Sequence, residues 1–238
     1  MNLFKAFAYF ILVGCATLVQ AQAYRDKAIA LFDQSQFNQA RPLFEQWNAE
    51  APNNLFVIEH LGDIEGHSSH WDKCIEYYDK LVRLKPTEAN YYYKKGGAMG
   101  MKAKDGGKWA AIRLIHPMRD CFERAIQLNP KHIEARWGLI EYYLQLPGFI
   151  GGSERKAQHF ADELLKISPV DGYLAKGHID EYFERYQKAA QQYRKAIEVG
   201  GSKTTYDRLA YLYKFKLHQP ERAREVLDAY LRKTGKTM

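Results

Sequence analysis

A small residue, a bulky one and a second small one recur down this chain in frames of about 34 residues, often closed by a proline. The frame ending at Pro86 runs through Leu61, Gly62, Cys74, Tyr78 and Leu81; the next closes on Phe122, Ala125, Ile126, Leu128 and Pro130. A unit this short cannot bury its apolar face alone, so it must stack on its neighbours. The 238 residues, 46% of them hydrophobic, therefore read as one helical stack behind an N-terminal leader.

Apolar spacings of three, four and seven mark two amphipathic helices in each frame. Six frames can be placed, over residues 21–54, 55–88, 89–132, 133–169, 170–203 and 204–238. In the first, Pro42 is expected in the opening turn of the second helix, behind an Asn38 cap, where a missing amide donor costs little. The third frame is overlong: Asp105, Gly106 and Gly107 should stop one helix, Lys108 to Ile115 form another, and Pro117 end or kink it. The fourth is overlong at 147–154. The fifth is the most regular, with Tyr173, Gly177, Ala189, Tyr193, Ala196 and Ile197. The sixth, through Leu209, Ala210, Tyr213, Ala223, Leu227 and Tyr230, turns polar at Lys233 and Lys236, as a terminal cap does.

These residues resemble the tetratricopeptide repeat family, whose pattern has an aromatic, Leu and Gly on the first helix and Ala, Phe or Tyr, Ala and Pro on the second. The resemblance implies an all-α fold, a right-handed α-solenoid of antiparallel helix pairs, with about six repeats over residues 24–238. The run Pro147, Gly148, Phe149, Ile150, Gly151, Gly152, Ser153, followed by Lys156 and Ala157, also resembles the inserted loop of a group of exported bacterial tetratricopeptide proteins.

Residues 1–23 read as a signal peptide: Lys5 supplies the positive start, Ala6 to Val19 is apolar, and Ala21, Gln22, Ala23 is a small-residue exit. Leu12, Val13, Gly14, Cys15 leaves a second route open, a lipoprotein anchored through Cys15, although Ala16 to Val19 stays apolar beyond it. Either route places the mature protein outside the cytoplasm, periplasmic or secreted. Cys74 and Cys121 then remain, too few for a disulfide framework; they are two buried thiols or one bridge between neighbouring helices.

The net charge of +7 is unevenly spread: residues 185–238 hold 13 Lys or Arg against 5 Asp or Glu, whereas residues 24–184 hold 21 against 23. The basic quarter is either a solvated face or a dock for an acidic protein or an anionic membrane surface. Export argues against a nucleic-acid partner.

No catalytic constellation stands out. Gly106, Gly107, Lys108 has the look of a phosphate-loop ending, but Trp109 replaces the required Ser or Thr, so a helix stop and restart is expected. His60, His67 and His70, near Glu65 and Cys74, do not follow a known ligand pattern and read as surface histidines pairing locally. Ser153 should cap the helix that follows it. Neither a metal nor a cofactor is expected.

In the tetratricopeptide family, first-helix residues line the concave wall. Carried over position by position, the wall gives Glu59, Asp63, Tyr93, Trp137, Glu141, His178, Glu181 and Asp207 as a partner-binding groove, with Asp171, Tyr182 and Tyr211 in the same series. Carboxylates beside Tyr and Trp suit a basic or aromatic peptide, unlike the Lys, Arg and Asn with which chaperone-tail-binding members clamp a carboxylate. The resemblance implies a non-catalytic exported scaffold that binds a protein or peptide. The alternative is a membrane-surface assembly or lipid-handling component docking through the basic C-terminal quarter.

Overall fold

A computed structural model describes residues 22–235, and among these the chain is all-α. The expected leader, including Cys15, lies outside the described residues save for Gln22 and Ala23. Helix α1 covers 22–33 and is followed by α2 (Phe37–Glu50), α3 (Leu55–His67), α4 (Trp71–Leu84), α5 (Ala89–Asp105) and α6 (Gly107–Leu128). Then come α7 (Ile133–Gln145), α8 (Glu154–Ile167), α9 (Pro169–Tyr182), α10 (Tyr186–Val199), α11 (Lys203–Tyr211) and α12 (Pro220–Thr234). The chain forms two compact units, divided after Met118 within α6.

In the first unit, Ala28, Ala40, Phe44, Val57, Leu61 and Ile64 form one buried cluster, and Ile58, Cys74, Tyr78, Leu81, Tyr91 and Ala98 the next. Small residues set the helix spacing. A Cβ on Gly62 would stand 2.9 Å from the Tyr78 ring, so the glycine is what lets α3 and α4 close. The second unit repeats the device: a Cβ on Gly177 would stand 2.3 Å from the ring of Tyr193, at the centre of a cluster with Ala189, Ala190, Leu209, Leu212 and Ala223. Cys74 and Cys121 are both buried thiols outside any disulfide, which settles the choice left open by the sequence.

The turns that join α1 to α2, α3 to α4, α9 to α10 and α11 to α12 share one geometry. Ser35, Ser69, Glu184 and His218 all adopt positive φ, between 54° and 58°. The next amide then reaches back to a carbonyl of the helix just ended: Gln36 to Leu31 at 2.8 Å, His70 to Glu65 at 2.9 Å and Arg185 to Asp180 at 2.8 Å. This left-handed closure satisfies carbonyls a helix end would otherwise orphan, at about 1 kcal/mol for each residue that is not glycine.

Two sequence expectations are corrected. Lys108 to Ile115 is not a helix of its own: the extra residues lengthen α5 to 17 residues and α6 to 22, and α6 continues through Pro117. Pro117 and Arg113, whose carbonyl loses its partner, are both exposed, so water can take over the missing bond. Pro42 is not in the first turn, because α2 starts at Phe37 behind Gln36; it too lies on the exposed side, as does Asn38 one turn earlier. The first helix α11 runs into a π-turn at Leu212–Lys216, closed by Leu217 N–H on the Leu212 carbonyl at 3.0 Å, and that wide turn absorbs one residue.

The excess at 147–154 forms a closed loop around a short 3₁₀ turn, Gly148–Ile150. The Gly152 and Ile150 amides both return to the Pro147 carbonyl, and Ser153 N–H binds the Tyr143 carbonyl at 2.9 Å. A Cβ at Gly152 would collide with the Leu146 carbonyl oxygen, so glycine is required where the loop shuts. As expected, Ser153 caps α8, its Oγ accepting from Lys156 N–H at 3.3 Å.

Candidate partner-binding surface

The wall residues of the first unit are brought together by a lysine that the sequence reading overlooked. Lys94 on α5 donates to Glu59 at 2.9 Å and to Asp63 at 2.8 Å, both on α3. Asp63 also accepts the Tyr78 hydroxyl. Burial works against the charge on Lys94, but the two carboxylates outweigh it and hold the ammonium above the usual lysine range. Burial and Asp63 push the Tyr78 hydroxyl far up, so it stays a donor. Lys94 lies one repeat beyond Glu59 and Asp63, and the repeat spacing itself carried that signal. Tyr93, its neighbour, is partly buried on α5.

In the second unit, Trp137 and Glu141 stand one turn apart on α7 and meet α9. The Trp137 indole N–H reaches Asp171 at 3.4 Å, and its ring lies 6.1 Å from that of His178. His178 Nε2 sits 2.6 Å from Glu141, whose side chain remains 46% exposed. Burial alone would raise the Glu141 carboxyl; His178 outweighs it, helped by Gln145 and by the positive charge of Arg208 on α11, and the group titrates below the usual carboxylate range. Glu181 accepts the Tyr193 hydroxyl at 2.8 Å, and Asp207 pairs with Lys203 at 2.7 Å, one turn earlier on the same helix. Trp137, Glu141 and His178 thus form one cluster with Asp171; Glu181 and Asp207 point to other partners.

The expected acidic wall is therefore not bare negative charge. Glu59, Asp63, Glu141, Glu181 and Asp207 each have a protein partner, and what the surface offers is a set of fixed, partly neutralised acceptors beside aromatic rings.

The three histidines of α3 and its turn do separate jobs. His60 stacks on Phe44 with ring centroids 5.0 Å apart and packs at a tilt against Phe32 and Phe56, His67 lies flat on Phe37 with ring centroids 4.2 Å apart, and His70 bonds the buried carboxylate of Glu65 at 2.6 Å. Arg41 approaches the other Glu65 oxygen at 3.3 Å. Among the described residues no group of three or more His, Cys, Asp or Glu side chains is placed to hold a metal ion.

No protein-family model matches the sequence, and no curated protein matches it. Solved structures do. TTC0263, a thermophilic TPR protein of Thermus thermophilus, is 16% identical over 87% of this chain and 98% of its own, with a TM-score of 0.61. YrrB, a TPR protein with an unusual peptide-binding site, is 15% identical over 83% and 90%, with a TM-score of 0.52. This chain has the tetratricopeptide-repeat fold. PilW, a widely conserved type IV pilus biogenesis factor, is similar at 14% identity over 90% and 93%, with a TM-score of 0.62. In tetratricopeptide terms, α3, α5, α7, α9 and α11 are first helices, and Gly62 and Gly177 are the small residues against which the second-helix aromatics pack.

Proposed function

We propose that this protein is a non-catalytic scaffold that binds a protein or peptide segment on its first helices, with Trp137 and Glu141 as the central contacts. The observation that carries this reading is the cross-helix cluster of Trp137, Asp171, His178 and Glu141. An aromatic face and a half-exposed carboxylate oxygen are held ready by neighbours, so little freedom is lost when a partner arrives. Glu59, Asp63 and Tyr93 in the first unit, and Glu181 and Asp207 in the second, extend the same series. The partner best suited supplies an apolar or aromatic side chain to Trp137 and a donor to Glu141. Peptide binding by YrrB supports the mode, and the role of PilW in pilus biogenesis supports an envelope setting. Residues 1–23 act as the export leader in this proposal, and the repeats run over 24–238.

Trp137→Ala and Glu141→Ala are expected to lower recovery of the native partner from an envelope extract by about tenfold or more, the usual effect of removing a central aromatic contact. Helicity should be unchanged. Recovery equal to that of the wild type in both variants rules the first-helix surface out.

A further inference from the structure

The three turns that join helix pairs in the second unit each present an exposed phenylalanine. Phe149 stands at the tip of the closed loop before α8 and is 89% exposed; Phe183 lies between α9 and α10 at 39%; Phe215 lies in the π-turn before α12 at 52%. The turns occupy one edge of this unit. Glu154, at the first, pairs with Arg185, at the second, at 2.5 Å; Tyr186 and Leu217, flanking the second and third, pack on the same buried cluster. The rings of Phe183 and Phe215 rest against Tyr182 and Tyr211, with centroids 5.1 and 4.9 Å apart. The corresponding turns of the first unit read Gln34, Ser35, Gln36 and Ser68, Ser69, His70, with no aromatic residue.

Cations surround the phenyl rings. Residues 147–156, 180–188 and 214–224 hold eight Lys or Arg against five Asp or Glu, and Arg185 is paired with both Glu154 and Asp180. Arg185 lies over the Phe183 ring at 5.0 Å and Lys214 over the Phe215 ring at 5.1 Å, while Arg155 and Lys156 follow Phe149 at the exposed start of α8. The loop carrying Phe149 has no charged residue between Leu146 and Ser153, and its backbone bonds fix it, so the ring is displayed rather than loosely tethered. Among the described residues no helix is long and apolar enough to cross a membrane, so attachment along this edge would be peripheral.

We propose that this edge docks on an anionic phospholipid surface, with Phe149, Phe183 and Phe215 entering the interfacial region and the surrounding Lys and Arg facing the headgroups. Aromatic rings favour the zone between headgroup and acyl chain, and a polybasic rim draws them to a negative leaflet. The site is separate from the first-helix cluster around Trp137, so it leaves that surface open to a partner. The basic C-terminal quarter contributes only the part of its charge that lies on this edge, and the dock reaches beyond that quarter to Phe149.

The test uses the full chain with phosphatidylcholine vesicles containing about 30 mol % phosphatidylglycerol, or none. The triple variant F149A, F183A, F215A is expected to lose about tenfold or more of its affinity for the anionic vesicles, with unchanged helicity. A second variant, F149W, reads the edge directly whatever the N-terminal segment does: its added tryptophan emission should be quenched by bromine-labelled acyl chains in anionic vesicles, and less as salt rises to about 0.5 M. Unaltered affinity of the triple variant, or an added tryptophan that the labelled chains leave unquenched, overturns the proposal. Neither outcome bears on capture through Trp137.

Discussion

His132 shows how one side chain ties fold to pH. It is buried at the N-cap of α7, where Nδ1 accepts the Ala135 amide at 3.2 Å, and only the neutral ring can accept there. Burial lowers its pKa from 6.5, Arg136 adds to the effect, and Glu134 opposes without overcoming it. The unfolded chain therefore takes up the proton first as pH falls. The contribution of this cap is complete above about pH 6.5 and is lost as pH drops through the folded pKa. His132→Asn keeps an acceptor and removes the titration, so its melting temperature should fall less than that of the wild type between about pH 7.5 and 5.5. Equal falls in the two proteins would show that the cap does not titrate. A cap read from sequence, Ser153, was visible because Ser is a common cap; His132 was not, because nothing in its residue type announces that role.

At the scale of the element, the turns inside the pairs hold removable strain. Glu184 sits at φ 57° with an exposed side chain, and its amide hydrogen-bonds the Glu181 carbonyl at 3.0 Å, a bond that glycine would keep. Glu184→Gly is expected to stabilise the protein by up to about 1 kcal/mol and raise its melting temperature by about 2–4 °C. A lower melting temperature would mean that the side chain contributes more than its backbone costs. The helices themselves were legible, because apolar spacing and the Gly-aromatic pairs at Gly62 and Gly177 report packing directly. Their ends were less so. Pro117 read as an end or a kink and Pro42 as a first-turn residue, yet both lie further inside a helix, where solvent replaces the missing bond, and whether a helix face meets water is decided by tertiary packing. The wall was legible as a set of positions but not as a set of partners: the acids could be placed from the family pattern, whereas Lys94, which neutralises two of them, becomes visible only when a second repeat is laid beside the first.

For the molecule as a whole, stacking by nearest neighbours predicts that damage stays local. Gly177→Ala forces a methyl group onto the Tyr193 ring, an overpacking that costs about 1–3 kcal/mol. Amide exchange in α9 and α10 should quicken by about tenfold, while α3 and α4 keep their protection. Equal acceleration of both pairs would mean that the array melts as one body. The loop at 147–152 carries a different consequence. Its ends meet where Gly152 passes the Leu146 carbonyl, and no buried residue lies between them, so its tip has no part in holding the helices. Phe149 is therefore a place where heredity can experiment cheaply: a change there alters what the protein touches while the architecture beneath stays the same.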